Sequence, residues 1–588
     1  MNSIFGVSGQ VLDSTLQQMG RRLIHRGGAS KVHRLTHEAP VAFGVTGSES
    51  HLFSKNNFTI VADADIYNKE ELHQFLVRKG ISVRPESEAE LLLALFQVDG
   101  VEGIEKINGD YAFAIWDGDN QLLTLVRDYC GCRPLFYAAL PEGKGIAFAS
   151  EYKALLTLPE ISPEPDRDML QCLQYHKKLP VGRTLFKGIR AVGPGSITMF
   201  SAAGQRVDHR KMTSVQPLAV LSNEAEAVAE VRNALTGAIK CRISHPERIG
   251  IALSGGIDSI GIAFICRHLF PDSEIHTFTA GSDTQDEELV VAERVSRSIR
   301  SIHHAVITLP GLMKDHLEKL VWHIEEPYAR SESLQLFKIG EAAAPHVTSL
   351  LCGMEADALF AGMPRHKILW MMTKWPLFKD VFGEIYDLTQ SGLQPASVMG
   401  KILSKSYFRH KIAPVPKVSG GSYVPVKTVF PSSNNQLVTT FLSNVFQGGA
   451  CQDGQKLERT FAAWGVRYQS PFLDRNLIRT AFGISDQLKF KHGKNKYILR
   501  KALEKYVPEE FIHIPKKPQR MKYDLAFAKV LDDVATHYLG DGRQGFFNPH
   551  DIVSLKKMKR NGAYPPETGM RLWTAVLTQI WYEQFGQL

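Results

Sequence analysis

Residues 251–259 read Ile-Ala-Leu-Ser-Gly-Gly-Ile-Asp-Ser, and they hold the residue types best suited to chemistry. An apolar run ending at Leu253 leads into Ser254, Gly255, Gly256, Ile257, Asp258 and Ser259, and a second apolar run fills 260–269. That order predicts a strand, a small-residue loop and the start of a helix. Backbone N–H groups at such a turn face an anion, and the helix N-terminus adds partial positive charge. Gly255 and Gly256 let the backbone approach phosphate oxygens. Ser254 and Ser259 add hydroxyl donors. Asp258 would repel phosphate unless it holds a divalent cation, a use that suits Mg2+. The bland alternative is an ordinary glycine turn, which a Gly-Gly pair alone would not displace. There is no Gly-Lys-Ser/Thr, so this is not a Walker A loop.

The surrounding pattern supplies a scaffold for that loop. From residue 224 onward strands and helices alternate: helix 226–239, strand 249–253, helix 257–269, strand 275–279, helix 287–298, strands 304–308 and 347–352. Such alternation argues a parallel sheet with helices on both faces. Residues 1–205 instead carry short strands (59–61, 111–116, 122–126, 146–149) and helical patterns at 12–23, 69–78 and 88–97. A linker is expected at 206–225, where 212–223 holds Pro217 and no charged residue. The second unit then runs over 226–588. Residues 370–460 are less regular, with a loop expected at 418–423.

Composition sets broad limits. The 588 residues are 44% hydrophobic and 22% charged, which describes an ordinary globular chain. The net charge of +8 is mild over this length, and basic residues are scattered apart from 489–501, so no nucleic-acid partner is expected. No run is long and apolar enough to predict a membrane span. The first ten residues lack a basic start and a long apolar stretch, so no signal peptide is expected. Seven cysteines are widely spread, with Cys130 and Cys132 a lone Cys-x-Cys; they read as reduced thiols in a cytoplasmic protein.

The loop at 254–259 resembles the pyrophosphate-binding loop of ATP pyrophosphatases, which cleave ATP between its α and β phosphates. The resemblance extends over nearly the whole chain to the asparagine synthetases. The N-terminal half is similar to their glutamine-amidotransferase domain at His25-Arg26-Gly27, Ile66-Tyr67-Asn68, the run 109–117, Arg127-Asp128, the run 134–137 and Ala149-Ser150-Glu151. The C-terminal half is similar to their synthetase domain at 254–259, at Cys352-Gly353 with Asp357 and Leu359-Phe360, at 471–474 and at 496–500. The implied architecture is α/β and α+β: an Ntn-hydrolase-like αββα sandwich, then a PP-loop ATP-pyrophosphatase domain with a parallel sheet flanked by helices.

Departures from the family pattern are equally informative. Glutamine-using members begin Met-Cys, and the processed cysteine attacks the glutamine amide. This chain has Asn2, whose carboxamide cannot form a thioester. The Asn-Gly that supports the family's oxyanion hole reads Asp63-Ala64 here, and a carboxylate repels an oxyanion. The acidic residue that holds the glutamine amine falls in Ser87-Glu88-Ala89-Glu90, and no arginine stands near 45–52 for its carboxylate. These losses predict an inactive glutaminase half whose role is to support the other half or a homodimer.

For the synthetase half, the resemblance implies that Asp258 and Asp357 hold Mg2+ on the ATP triphosphate, with Gly353 beside the nucleotide. It implies that Lys496 neutralises charge on the pyrophosphate and the transition state. Lys494 is the weaker alternative, and Arg500 either shares the phosphate field or bridges helices. Glu325 or Glu326 stands where the family has an acidic residue near the acceptor. The family's Ser-Gly-Glu-Gly-Ser-Asp-Glu reads Cys352-Gly353-Met354-Glu355-Ala356-Asp357-Ala358 here. The aspartate-branch glutamate thus aligns with Met354, which cannot transfer a proton, and Glu355 is one step along. A Gly-x-Glu-x-Arg pattern reads Gly465-Val466-Arg467-Tyr468-Gln469, turning a carboxylate into a cation.

The expected function is ATP-dependent amide-bond formation. A small-molecule or peptide carboxylate is adenylated, and then ammonia or an amine attacks without glutamine hydrolysis. Alternatives are an intramolecular cyclase resembling β-lactam synthetases or lasso-peptide cyclases, an ammonia-dependent asparagine synthetase, and a non-catalytic nucleotide-binding scaffold. A tRNA-modifying PP-loop enzyme would need a cysteine at the loop, and Cys266 reads as core.

Overall fold

The computed structural model describes residues 2–9, 12–27, 30–36, 40–47, 51–176, 178–212, 220–283, 285–308, 310–327, 332–363, 366, 370, 439, 442, 446, 451–514, 525–540, 549–559 and 561–586. The loop expected at 418–423 lies outside them. Among the described residues, no helix is long and apolar enough to cross a membrane.

The N-terminal half stacks two antiparallel sheets. Its strands are β1 (Ser3–Ser8), β2 (Ser30–Thr36), β3 (Pro40–Thr46), β4 (Leu52–Lys55), β5 (Phe58–Ile66), β6 (Gly109–Asp117), β7 (Leu122–Arg127), β8 (Phe136–Ala139), β9 (Ile146–Ala149), β10 (Ile189–Ala191), β11 (Ser196–Ser201) and β12 (Arg206–Lys211). One sheet has the order β10-β8-β9-β1-β3-β2 and the other β12-β11-β7-β6-β5-β4. Both inner faces are apolar: Ile4, Phe43, Val45 and Phe148 of the first meet Val61, Ala114, Trp116 and Leu125 of the second. The outer face of the second sheet buries Ile60, Phe113 and Ile115 under helices α2 (Lys69–Arg78) and α3 (Glu88–Glu105). The outer face of the first carries α1 (Asp13–Arg22), α4 (Tyr152–Leu155) and α5 (Arg167–His176). The layers are therefore αββα, as expected. Alternation on both faces of each strand leaves no other way to bury them.

The expected first boundary needs a correction. β12 pairs with β11 and extends the N-terminal sheet to Lys211, past residue 205. It is an exposed, charged edge strand, Arg-Val-Asp-His-Arg-Lys, with no apolar alternation to reveal it. Of the expected linker, 213–219 lies outside the described residues, and α6 (Glu224–Lys240) has begun before its end at 225.

The C-terminal half is built on a five-stranded sheet. Its strands are β13 (Arg248–Ala252), β14 (Glu274–Gly281), β15 (Ile302–Ile307), β16 (Ser349–Cys352) and β17 (Arg467–Gln469), in the order β15-β14-β13-β16-β17, and every pairing is parallel. Helices α7 (Ile257–Leu269), α8 (Glu287–Ser298), α9 (Leu317–Ile324), α10 (Glu332–Ala343), α11 (Ala356–Leu359), α12 (Cys451–Ala462), α13 (Arg475–Gly483) and α14 (Tyr497–Leu503) complete it. Ile251, Phe278 and Leu350 of the sheet share one core with Val231, Ile260, Phe461 and Ile498 of the helices. The strand order reverses beside β13, placing the loop after β13 at the switch point where α/β sheets bind ligands. Two late helices, α15 (Leu525–Leu539) and α16 (Pro566–Phe585), turn back onto the N-terminal half. Leu531, Leu577 and Trp581 join Phe5, Tyr152 and Phe186 in one core across the halves.

Candidate active site

The loop 253–256 leaves β13 at its carboxyl end and opens α7. Leu253 is pinned to β14: its N–H donates to Phe278 O (2.9 Å), and its carbonyl accepts from Thr279 Oγ1 (2.6 Å). Ser259 braces the turn from inside the helix, its Oγ accepting from Ser254 N–H (3.0 Å) and lying 2.9 Å from Ser254 Oγ. A Cβ at Gly255 or Gly256 would meet no protein atom closer than 3.3 Å, and neither residue has positive φ. The fold itself does not demand glycine at these two positions.

Gly353 is different. It ends the approach of β16 to α7, and a Cβ there would stand 2.7 Å from Ser259 N. This close approach brings the segment after β16 against the helix start, and with it Asp357 in the first turn of α11. Asp258 and Asp357 thus leave neighbouring strands β13 and β16 and converge on one cation. Lys496 Nζ lies 2.7 and 2.5 Å from the two oxygens of Asp258 and 2.5 Å from Asp357 Oδ1. Asp258 and Lys496 are buried, while the Asp357 side chain is 24% exposed. Lys496 precedes α14 in left-handed backbone, φ 56°. This conformation is uncommon for a residue with a side chain and concentrates at functional sites. Gly362 completes the corner, since a Cβ there would overlap both Asp357 and Lys496.

An all-oxygen pair of carboxylates gathered on a single positive charge beside an anion loop fits a hard cation such as Mg2+. The two carboxylates bring four oxygens to one corner, a donor set that a divalent ion can use.

The other expected residues fall into place around this corner. Lys494 is exposed, and its Nζ lies 3.5 Å from His513 Nδ1. Arg500 bridges segments, donating to the carbonyls of Ile512 and Asn495. Cys266 is fully buried on α7, and burial pushes its thiol well up, as a core residue requires. Met354 lies partly buried against the core, its carbonyl accepting from Ser470 Oγ (3.1 Å). Glu355 adopts left-handed backbone, φ 69°. Its oxygens accept from Tyr468 O–H at 2.8 and 2.9 Å. Burial pushes the Glu355 carboxyl up to about 8, against the lowering effect of hydrogen bonds with Ser470 and Tyr468. A carboxyl with that affinity exchanges protons near neutral pH.

Glu325 stands elsewhere. Fully buried, it accepts backbone N–H bonds from Tyr152 (3.1 Å) and Lys153 (2.7 Å) at the start of α4, and Arg459 NH1 donates to it (3.2 Å). It clamps the two halves together, and its neighbour Glu326 pairs with Lys456 and Arg459. Burial raises Glu325 to about 7; Lys153 opposes the rise and Glu151 adds to it. The family resemblance pointed to the acceptor site, but these partners engage both of its oxygens at the interface.

Of the positions read as a lost glutaminase site, Asn2 and Asp63 contact Arg26. Its Nε lies 3.4 Å from Asn2 O and its NH2 3.4 Å from Asp63, while its other contacts go to Glu151 and, across the halves, Glu458. Ala64 is buried between Asp63 and Asp65. Arg133 joins Asp65 to Glu458, and Arg467 NH1 reaches Asp65 Oδ1 at 2.6 Å. Burial would raise Asp65, yet Arg467 and Arg133 hold it at about 2. Glu88 pairs with Lys69 at 2.6 Å; burial and the nearby Asp65 raise its carboxyl. Sequence reasoning recorded Arg467 only as a reversed charge; the partner that explains it, Asp65, is 402 residues away.

Comparison with known proteins agrees with both halves. The family described as "Asparagine synthase" matches residues 230–583, and "Glutamine amidotransferase domain" matches residues 1–211. Asparagine synthetase (glutamine-hydrolyzing) 1 of Bacillus subtilis is 25% identical over 97% of this chain and 93% of its own length. A putative asparagine synthetase (glutamine-hydrolyzing) of Mycobacterium tuberculosis is 25% identical over 90% of this chain and 85% of its own. Amidase chyE of Penicillium rubens is 25% identical over 81% of this chain and 79% of its own.

Proposed function

Because the chain belongs to the asparagine synthase family, an ATP-dependent amide-forming group, we propose that it adenylates a carboxylate other than aspartate and couples it to an amine without hydrolysing glutamine. The observation that carries this reading is the convergence of Asp258 and Asp357 on Lys496 beside the 254–259 loop.

ATP would lie with its phosphates on the N–H groups of that loop and the hydroxyls of Ser254 and Ser259. Asp258 and Asp357 would hold Mg2+, which when bound offsets phosphate charge. Released from the two carboxylates, Lys496 would meet the negative charge that builds on the departing pyrophosphate. The substrate carboxylate attacks the α-phosphorus, giving an acyl-adenylate and pyrophosphate. An amine then attacks the acyl carbon, and AMP leaves. The amine must lose a proton, and Glu355, buried against Tyr468 with its affinity near 8, is the residue proposed to take it.

Two features separate this reading from glutamine-dependent asparagine synthesis. Asn2 supplies no thiol, and Asp63 presents a carboxylate where an oxyanion would form. Met354 cannot serve as the proton-transferring glutamate of the aspartate branch, which favours a carboxylate substrate other than aspartate. The testing experiment measures AMP and pyrophosphate release with a panel of carboxylates, alongside glutamate release from glutamine. Pyrophosphate release stimulated by a carboxylate, with no glutamate formed, is expected. Efficient asparagine production from aspartate, ammonia and ATP overturns the substrate reading, and glutamine turnover overturns the other half.

A further inference from the structure

Three histidines meet at the end of the C-terminal sheet opposite the 254–259 loop. His276 is near the start of β14, His304 is on the edge strand β15, and His346 is in the segment between α10 and β16. In the parallel register His276 lies opposite Ile302 and Phe278 opposite His304, so His276 and His304 share a face. His346 reaches that face by crossing over β13 at Gly250, where a Cβ would stand 2.5 Å from Ser349 O and 2.7 Å from Val347. A side chain at 250 would block the crossing.

The three rings offer nitrogen atoms that all lie within 4.8 Å of one another. His276 Nδ1 and His304 Nε2 are 3.0 Å apart, and the His304 and His346 ring centroids 4.4 Å apart. Three imidazoles about 2 Å from one Zn2+ in tetrahedral geometry have nitrogens about 3.4 Å apart, so closing the widest gap asks for about an ångström of side-chain movement. A second observation points the same way. His276 Nε2, the nitrogen turned away from the cluster, lies 2.8 Å from Glu274 Oε1. A metal-bound imidazole characteristically donates its other N–H to a carboxylate, which fixes its tautomer and orientation. Glu274 is itself held by Arg248 Nε at 2.9 Å, and Arg248 NH1 lies 3.5 Å from His346 O.

We propose that His276, His304 and His346 form a binding site for a divalent transition metal of the Zn2+ class, with Glu274 as the outer carboxylate. Imidazole donors select such ions over Mg2+, so this site and the Asp258–Asp357 corner take different metals. Its ligands come from three separate segments, so a bound ion would tie the edge strand β15 and the 346 segment to the sheet.

The test titrates the chelator-stripped full-length protein with Zn2+ against a colorimetric indicator, in excess Mg2+. One equivalent is expected to bind. His304→Ala and His346→Gln are each expected to weaken it at least tenfold, and Glu274→Gln by about 10-fold. His303→Ala, whose ring faces Thr277 on the opposite side of the sheet, leaves it unchanged. Co2+ in place of Zn2+ gives the visible bands of a low-symmetry four-coordinate site, and thermal unfolding shifts upward with Zn2+. Circular dichroism checks that each variant is folded, and His346→Gln, in a connecting segment, stands in should His304→Ala not fold. Absence of stoichiometric binding, or binding that survives both histidine substitutions, overturns the proposal.

Discussion

The protein holds two charged centres of opposite design. At the interface, three cations and three anions from each half form one connected ion-pair network. Arg26, Arg133 and Lys153 with Asp63, Asp65 and Glu151 come from the N-terminal half. Lys456, Arg459 and Arg467 with Glu325, Glu326 and Glu458 come from the C-terminal half. Beside the 254–259 loop a single ammonium stands between two carboxylates. The first centre closes on itself, so its charges are satisfied by one another. The second is small, gathers two carboxylates on one ammonium and leaves part of the Asp357 side chain exposed. A balanced buried network fixes how two surfaces dock; a partly open pair of carboxylates is suited to recruit a cation. The residues around Arg26 thus act as a joint, whereas those around Lys496 keep the makings of a reaction site.

The contrast can be broken first at the joint. Glu458 is buried and serves both Arg26 and Arg133. Glu458→Gln removes the carboxylate that Arg26 and Arg133 share and leaves one buried positive charge in the network uncompensated, so it is expected to destabilise the full chain by about 3–5 kcal/mol in urea titration. A loss under 1 kcal/mol would show that the network is not the joint. At the other centre, Asp258→Asn and Asp357→Asn are each expected to cut pyrophosphate release by roughly 100-fold or more. Unchanged Mg·ATP affinity by calorimetry, with normal release, would refute the metal assignment. Lys496→Ala is expected to lower kcat and kcat/KM together, about 100-fold, with ATP affinity largely kept, since its charge acts on the transition state. Near-normal turnover would move attention to Lys494.

A smaller effect is expected at Glu355. Glu355→Gln is expected to impair product formation more than pyrophosphate release, so that pyrophosphate outruns product. The same group has a stability signature. Its folded affinity of about 8 lies above the ordinary 4.5, so the native state holds a proton that the unfolded chain has lost. This contribution is complete below pH 4.5 and is lost as pH rises through about 8. In Glu355→Gln that decline disappears; wild-type-like pH dependence in the variant would contradict the buried-carboxyl reading. The smallest expected effect is none at all. Asn2→Cys restores a thiol but leaves Asp63 in place, so glutamate release is expected to stay at the buffer level, and rapid glutamine turnover would reopen the first half as an enzyme.

Local order carries its own signature in this chain. The apolar run, Gly-Gly loop and apolar helix of 251–269 show a period and a turn within 20 residues, and β13, the loop and α7 lie there. The helices at 69–78 and 287–298 were legible for the same reason: their apolar faces repeat every three to four residues. β12 and the three-residue β17 were not, because a charged edge and a very short strand lack any alternation to read. Asp258, Asp357 and Lys496 were named from motif resemblance, but their meeting at one point depends on the β13–β16 pairing and on the close approach at Gly353.

By itself, then, the sequence determined the two-part plan, the anion loop and the missing nucleophile at Asn2, since these are properties of residue type and short spacing. Only the tertiary structure decided that Glu325 serves the joint, that Arg467 answers Asp65, and that three histidines 28 and 42 residues apart in sequence share one face. Coulombic pairing and metal geometry act over a few ångströms of space, and nothing in the spacing of residues along the chain encodes which distant segments the fold will bring within that range.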